Sequence, residues 1–395
     1  MIIRHHYIDM IRPFYDSDLI KVITGIRRCG KSVILSQIAE ELQSEGKAVL
    51  SLNFEQIEYS LEIPDAKSLV SYVKAKIPQD QKLYVFLDEV QLVEDWNIAC
   101  RSIRLENVSL FISGSNSRLL AGEFTKELSG RYVSFCIRPF VYKEINEYAQ
   151  SLGKQYSISD YLTYGGFPKV IEQPDKASVI QYLNDLNQTI VINDIQNRYK
   201  IRKTELFRRL VNYVLISNAR IFSANSIQHY LSSEKLNCSI NTVMKYLSYL
   251  EEAYVVRRVP QYSTRAKREL SFYVKLYDED VSFNTIRQRN GLPDLTHNLE
   301  NIVFNELCYM GYEVTVYNKD GREIDFLAQK AQKEYLIQVA YSIAEESTRQ
   351  REFALFNVLD QSRKKMIITN DDFDFSSSTV QHLSLSHFLT MEQLD

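Results

Sequence analysis

Short apolar runs alternate with helix-periodic stretches over the first third of the chain. Residues 19–24, 48–54, 83–87, 108–113 and 133–137 are runs of nearly consecutive apolar positions, the pattern of strands buried on both faces. Residues 32–43, by contrast, carry apolar side chains at helical spacing. Strands interleaved with helices predict a parallel α/β sheet covered on both sides, and this unit is assigned to residues 1–150.

The pattern then changes twice. Residues 151–200 read as mostly helical, a lid or linker interrupted by Tyr164-Gly165-Gly166-Phe167-Pro168. Residues 201–285 hold three helical patterns, the third capped by Ser239 and carrying Ile240, Val243, Met244, Leu247 and Leu250 at spacings of three and four. A β-rich stretch follows, so the segment has the outline of a winged helix-turn-helix. Residues 290–395 open with a helical pattern at 299–310 and continue with strands at 313–317, 323–328 and 335–341, a second small α/β unit.

Candidate chemistry is concentrated in the first unit. Gly25-Ile26-Arg27-Arg28-Cys29-Gly30-Lys31-Ser32 matches G-x-x-x-x-G-K-[ST] in full, directly after a predicted strand and at the start of a predicted helix. Glycines let the backbone curl so that successive N–H groups face phosphate oxygens, and the helix N-terminus adds its positive dipole. Lys31 is expected to reach the β- and γ-phosphates and Ser32 to ligate Mg²⁺. Cys29 reads as a small filler that would also expose the loop to thiol reagents. A second apolar strand ends in Asp88-Glu89. Asp88 is expected to hold Mg²⁺ through water, and Glu89 to polarise the water that attacks the γ-phosphate. Alone, an acidic pair after a strand is solvated surface; together with the loop it predicts a nucleoside triphosphatase core.

Two further positions have open assignments. The strand at 108–113 runs into Gly114-Ser115-Asn116-Ser117, where either Ser115 or Asn116 is placed to orient the attacking water. A strand-to-helix turn rich in small polar residues explains both equally well. Arg131, in Leu128-Ser129-Gly130-Arg131, precedes the last core strand. In ATPases that form rings such an arginine reaches the γ-phosphate of a neighbour, while as isolated chemistry it reads as a salt-bridge partner.

Taken in order, Gly-Ile-Arg-Arg-Cys-Gly-Lys-Ser, Leu-Asp-Glu-Val-Gln followed by Trp96, Ser-Gly-Ser-Asn-Ser, Leu-Ser-Gly-Arg and Tyr-Gly-Gly-Phe-Pro resemble the prokaryotic AAA+-type ATPases with a C-terminal domain of unknown function. The resemblance covers essentially the whole chain and is most specific over residues 19–170. It implies a P-loop AAA+ core, a winged-helix segment and a terminal domain similar to restriction-endonuclease-like folds. It further implies ATP rather than GTP as ligand, matches Arg27 and Arg28 to paired basic residues of the family's loop, and supports Arg131 as the trans-acting finger. It names no client protein.

Two stretches are basic. Arg198, Lys200, Arg202, Lys203, Arg208 and Arg209 stand against Glu205 alone. Arg257, Arg258, Arg265, Lys267, Arg268 and Lys275 stand against Glu269 alone, where a wing is expected, beside a candidate recognition helix bearing Asn241, Thr242, Lys245 and Tyr246. A basic wing tracks duplex phosphates, and polar residues on such a helix face a groove. The same features suit a protein-docking module with a solvated charged face.

Nucleases of the restriction-like fold carry a strand aspartate followed by E-x-K on the next strand. Here Asp325 supplies the aspartate and Glu300, on the preceding helix, a further carboxylate. Gln338 stands in the place of the acid and Ala340 in that of the lysine, and neither replaces what is lost, so no nuclease activity is expected.

Composition narrows the setting. The 395 residues are 45% hydrophobic and 25% charged, which excludes disordered, collagenous and mucin-like chains. A net charge of −3 confines any nucleic-acid surface to a local patch. Five scattered cysteines without a C-x-x-C pair, and six histidines without ligand spacing, predict neither disulfides nor a structural metal. Without a signal core or an apolar run of membrane length, a cytoplasmic protein is predicted. The leading expectation is an oligomeric ATPase. Its rival is a nucleotide-gated switch or scaffold with slow, incidental hydrolysis and protein rather than DNA partners.

Overall fold

A computed structural model of the chain describes residues 2–114, 128, 130–262, 274–288, 292–319, 322–358 and 363–394. Two compact units emerge, residues 1–139 with 252–254, and residues 140–251 with 255–395.

The first unit is a five-stranded parallel sheet of β1 (Ile20–Thr24), β2 (Ala48–Asn53), β3 (Leu83–Asp88), β4 (Val108–Ser113) and β5 (Tyr132–Cys136), in the order β2-β3-β4-β1-β5. Every residue of β1, β3 and β4 is buried, whereas the edge strands β2 and β5 are only partly covered. The runs at 19–24, 83–87 and 108–113 thus mark the central strands, whereas those at 48–54 and 133–137, expected to be buried on both faces, form the edges. Ile20, Val22, Val85 and Leu110 share one core layer with Leu69 and Val73 of helix Ala66–Lys74 and with Ala99 and Ile103 of helix Trp96–Ile103. Helix Lys31–Ser44 packs on β2, β3 and β4. Because the strands are parallel, all five carboxyl ends lie at one edge, where ligands of open α/β sheets bind.

The second unit holds helices Tyr142–Ser151, Ile158–Tyr164 and Lys176–Leu186, the last continuing into a π-helical stretch, Asn187–Asp194. Tyr164-Gly165-Gly166-Phe167-Pro168 is fixed here by Asp280, whose carboxylate accepts from the Gly166 N–H at 2.7 Å. Helices Thr204–Ile216, Ala224–Ser233 and Ile240–Glu252 follow, and a small antiparallel sheet of β6 (Ile221–Phe222), β7 (Val256–Pro260) and β8 (Val274–Asp278) lies in the order β6-β8-β7. Helix Leu295–Tyr309 leads to a mixed sheet of β9 (Glu313–Lys319), β10 (Arg322–Lys330), β11 (Lys333–Val339), β12 (Lys364–Thr369) and β13 (Gln381–Ser384), ordered β13-β12-β11-β10-β9. The three strands expected after residue 310 are present; β12 and β13, which pair in parallel beyond them, extend the sheet past the sequence reading. Among the described residues no helix is long and apolar enough to cross a membrane.

Candidate nucleotide site and terminal carboxylate cluster

The segment expected to bind phosphate joins the carboxyl end of β1 to helix Lys31–Ser44. Gly25 has φ +137°, and a methyl group there would collide with the Ile137 carbonyl oxygen. Gly30 caps the helix at φ +99°. Both positions need glycine, and between them they form the curl that turns N–H groups inward. Lys31 is buried, and its ammonium donates to the carbonyl oxygens of Gly25 and Ile26, each at 3.2 Å. Ser32 is exposed on the first helical turn. Cys29 is wholly buried within the loop. Arg28 is exposed, and Arg27 is tied to Glu55 at 3.2 Å just beyond β2.

A residue outside the motif supports the loop from below. The buried guanidinium of Arg4 donates to the Cys29 carbonyl at 3.1 Å and to the Arg138 carbonyl at 3.0 Å, and lies over the Tyr7 ring. Nothing near Arg4 in sequence signals this, because its partners are 25 and 134 residues away.

Asp88 ends β3 and Glu89 follows it; β3 is separated from β1 by β4 alone. The register that sets Leu87 beside Ile112 leaves Ser113 at the tip of β4, next to the acids. Its hydroxyl donates to the buried Asp88 carboxylate and accepts from the Glu89 N–H at 3.1 Å. Ser113 thus bridges the two acids; Ser115 and Asn116, expected to orient the attacking water, lie outside the described residues. Glu89 adopts φ 52° and ψ 43°, a left-handed conformation that costs roughly 1–2 kcal/mol for a residue with a side chain. The turn ends the strand at Asp88, and Gln91 donates to the Glu89 carboxylate. Strain of this kind is concentrated at functional sites. An exposed hydroxyl at a helix N-terminus and one carboxylate at a strand tip suit Mg²⁺, which keeps most of its shell as water and phosphate oxygen.

Replacing Ser113 by alanine leaves the Asp88 carboxylate without its hydroxyl donor. Turnover of ATP is expected to fall roughly 10-fold, as for loss of one hydrogen bond to a charged group, with the melting temperature little changed. A steady-state phosphate-release assay checks it; an unchanged rate removes Ser113 from the site.

Arg131 is exposed and lies at the other edge of the sheet. Its carbonyl accepts from the Ile20 N–H at 3.0 Å, so five residues of β1, roughly 15 Å, separate it from the loop of its own chain.

Comparison with known proteins agrees with this geometry. Residues 17–146 match the model of the AAA domain, and residues 155–287 and 296–388 match two domains of unknown function, DUF8612 and DUF4143. An uncharacterized protein of Haemophilus influenzae is 35% identical over 387 residues, covering 95% of this chain and 94% of its own. The chain belongs to the family of AAA-type P-loop ATPases with a C-terminal domain of unknown function. A second relative, an uncharacterized protein of Methanocaldococcus jannaschii, is 27% identical over 89% of this chain and 82% of its own. The fold is shared with a Walker-type ATPase of Pyrococcus abyssi, at a TM-score of 0.50 and 12% identity over 72% of this chain and 96% of that one.

In this AAA-type ATPase two of the six basic residues expected to form a wing are engaged within the fold. Arg258 is committed to Glu251 through a paired contact, one arm at 2.7 Å, and Lys275 is buried rather than exposed. Arg265, Lys267 and Arg268 lie outside the described residues, and Arg257 is half-buried on β7. Tyr246 is also removed from the candidate recognition face. It is buried against Phe207 in an edge-to-face contact at 5.3 Å, on the stripe of Val243, Leu247 and Leu250. Asn241 and Lys245 of the same helix are exposed.

The terminal carboxylates do come together. Glu300 of helix Leu295–Tyr309 and Asp325 of β10 meet at Lys275, which sequence reading counts into the wing. Glu323, two residues before Asp325 and on the same face of β10, joins them. A bulge between Ile324 and Leu327 interrupts pairing with β9 at this point, as bulges do where a strand re-aims a side chain. Gln338, in the place of the nuclease acid, accepts from the Asp325 N–H at 3.3 Å and donates to Glu352 at 3.1 Å. Ala340 lies past the end of β11, its N–H bonded to the Ile368 carbonyl.

Proposed function

We propose that this AAA-type ATPase binds ATP with Mg²⁺ at the loop Gly25–Ser32 and hydrolyses it, in an assembly in which Arg131 of one copy completes the site of another. The observation that carries the reading is the Ser113 bridge between Asp88 and Glu89 on the same sheet edge as the phosphate loop. Backbone N–H groups of the loop and the helix N-terminus bind the phosphates, and Lys31 neutralises the β- and γ-oxygens. Ser32 and Asp88 are the residues that would hold Mg²⁺, which supplies charge neutralisation on the transferring phosphoryl group. Glu89, held in a left-handed turn directly after Asp88, accepts the proton of the attacking water. Arg131 sits at the sheet edge remote from its own loop, so its contribution to the transition state comes from a second copy.

The test is specific activity against protein concentration. The native protein is expected to gain activity per chain as concentration rises, while Arg131→Ala stays at the dilute level throughout. A native rate independent of concentration and of Arg131 supports the nucleotide-gated switch instead. Duplex DNA is the partner that Arg257, Asn241 and Lys245 suit; if they track phosphates, adding it raises the native rate and salt suppresses the gain.

A further inference from the structure

Lys275 projects from β8, in the small three-stranded sheet, into the terminal carboxylate cluster. Its ammonium lies 3.0 Å from Glu300 Oε1, 2.8 Å from Glu323 Oε1 and 3.0 Å from Asp325 Oδ1. A lysine ammonium has three N–H donors, and each has a carboxylate acceptor here. The group is not a surface ion pair: the Lys275 side chain is 6% exposed, with Glu300, Asp325 and Glu323 at 12%, 11% and 27%. Further donors fix the acceptors. The Tyr277 hydroxyl donates to Glu300 Oε1 at 2.7 Å, and the Val339 N–H donates to Asp325 Oδ2 at 3.0 Å.

Three carboxylates converging on one buried point repel one another and are costly without a cation. Their oxygens are hard donors of the type that surround Mg²⁺, Mn²⁺ or Ca²⁺. We propose that Lys275 is the resident cation of the terminal domain: its ammonium holds the place of a divalent metal ion among Glu300, Glu323 and Asp325, and its removal opens that place to one. The lysine is delivered by a strand of another sheet, so it also ties the three-helix part of the unit to the terminal sheet, which a freely exchanging ion would not do. Among the described residues no three Asp, Glu, His or Cys side chains are arranged to hold a metal ion as they stand, so the carboxylates must move to take one. The carboxylates would draw in by roughly half an ångström to reach the 2.3–2.6 Å typical of Ca²⁺–oxygen contacts.

Charge balance supports the arrangement. Burial opposes the charge on Lys275, yet Asp325, Glu300 and Glu323 together hold its pKa above the ordinary lysine value. Burial, reinforced by Asp325, pushes the Glu300 carboxyl up to about 8 against the pull of Lys275.

The experiment is thermal unfolding of full-length Lys275→Met and native protein, without nucleotide, in Ca²⁺ and in EDTA. The native protein is expected to melt at the same temperature in both. Lys275→Met is expected to be destabilised in EDTA and rescued by Ca²⁺, with a rise of roughly 5–10 °C at a concentration about 100-fold above its Kd. Adding Asp325→Asn to Lys275→Met should abolish the rescue. If Lys275→Met is too unstable to purify, refolding from urea with and without Ca²⁺ gives the same reading. Equal stability of Lys275→Met in Ca²⁺ and EDTA, or failure to fold in either, overturns the proposal. So does Ca²⁺ stabilisation of the native chain that Asp325→Asn removes. Cleavage of duplex DNA by the native protein with Mn²⁺, lost in Asp325→Ala, would make Lys275 a partner of a metal rather than its replacement, and would also overturn it.

Discussion

The Glu89→Gln protein is expected to bind ATP as tightly as the native chain and to hydrolyse it roughly 10²- to 10⁴-fold more slowly, the range for loss of a positioned general base. The substitution is nearly isosteric, and the amide keeps an oxygen to accept from Gln91. The left-handed turn at residue 89 is imposed from both sides, by the end of β3 at Asp88 and by the 3₁₀ turn Val90–Leu92, and the Glu89 N–H remains bonded to Ser113. The phosphate loop lies two strands away and loses no contact. What disappears is the second carboxylate oxygen, the group able to take a proton from water. Nucleotide affinity by calorimetry and phosphate release in the steady state separate the two effects. A variant that turns over at the native rate would move the base to another residue; one that loses binding would show that Glu89 holds the site together rather than acting in it.

What the sequence made legible, and what it hid, divides along a physical line. The loop Gly25–Ser32 could be read because its function depends on consecutive residues, with glycines at fixed offsets and the lysine at the first helical turn. The central strands could be read because parallel strands covered on both faces leave unbroken apolar runs. Ser113 was hidden because its role comes from the register of β4 against β3, and a serine at the end of Leu-Phe-Ile-Ser looks only like a strand ending. Lys275 was hidden for the same reason at longer range: its partners are 25, 48 and 50 residues away, so in the sequence it was one more charge in a basic run. Arg4 had no local signal. Tyr246 had one, since it lies three residues after Val243 on a helix whose buried stripe was already defined, and aromatic residues at that spacing are core more often than surface. The strand β12, Lys-Lys-Met-Ile-Ile-Thr, likewise carried a β-branched apolar run that its pattern could have revealed.

Lys31→Ala is expected to lose most nucleotide affinity, by about 3–4 kcal/mol or roughly 10²- to 10³-fold in Kd, within the range for truncating one partner of a buried charge pair. The loop offers two kinds of positive potential to a triphosphate. Backbone N–H groups and the helix N-terminus supply partial charges, and Lys31 supplies the full one. That ammonium is buried inside the curl and spans it, bonded to the carbonyl oxygens of Gly25 and Ile26. It is therefore already held within the loop that phosphates would enter, and it gives up two neutral acceptors for anionic ones when they arrive. Alanine leaves those two carbonyl oxygens without their donor, so the loss includes two unpaired acceptors as well as the missing cation. Helix Lys31–Ser44 does not depend on the side chain, because Gly30 caps it and alanine is the best helix former. Folding should survive, and circular dichroism distinguishes a folded chain without affinity from an unfolded one. If calorimetry instead finds ATP bound within threefold of the native affinity, the triphosphate is held by backbone alone, and the lysine serves to keep the loop curled.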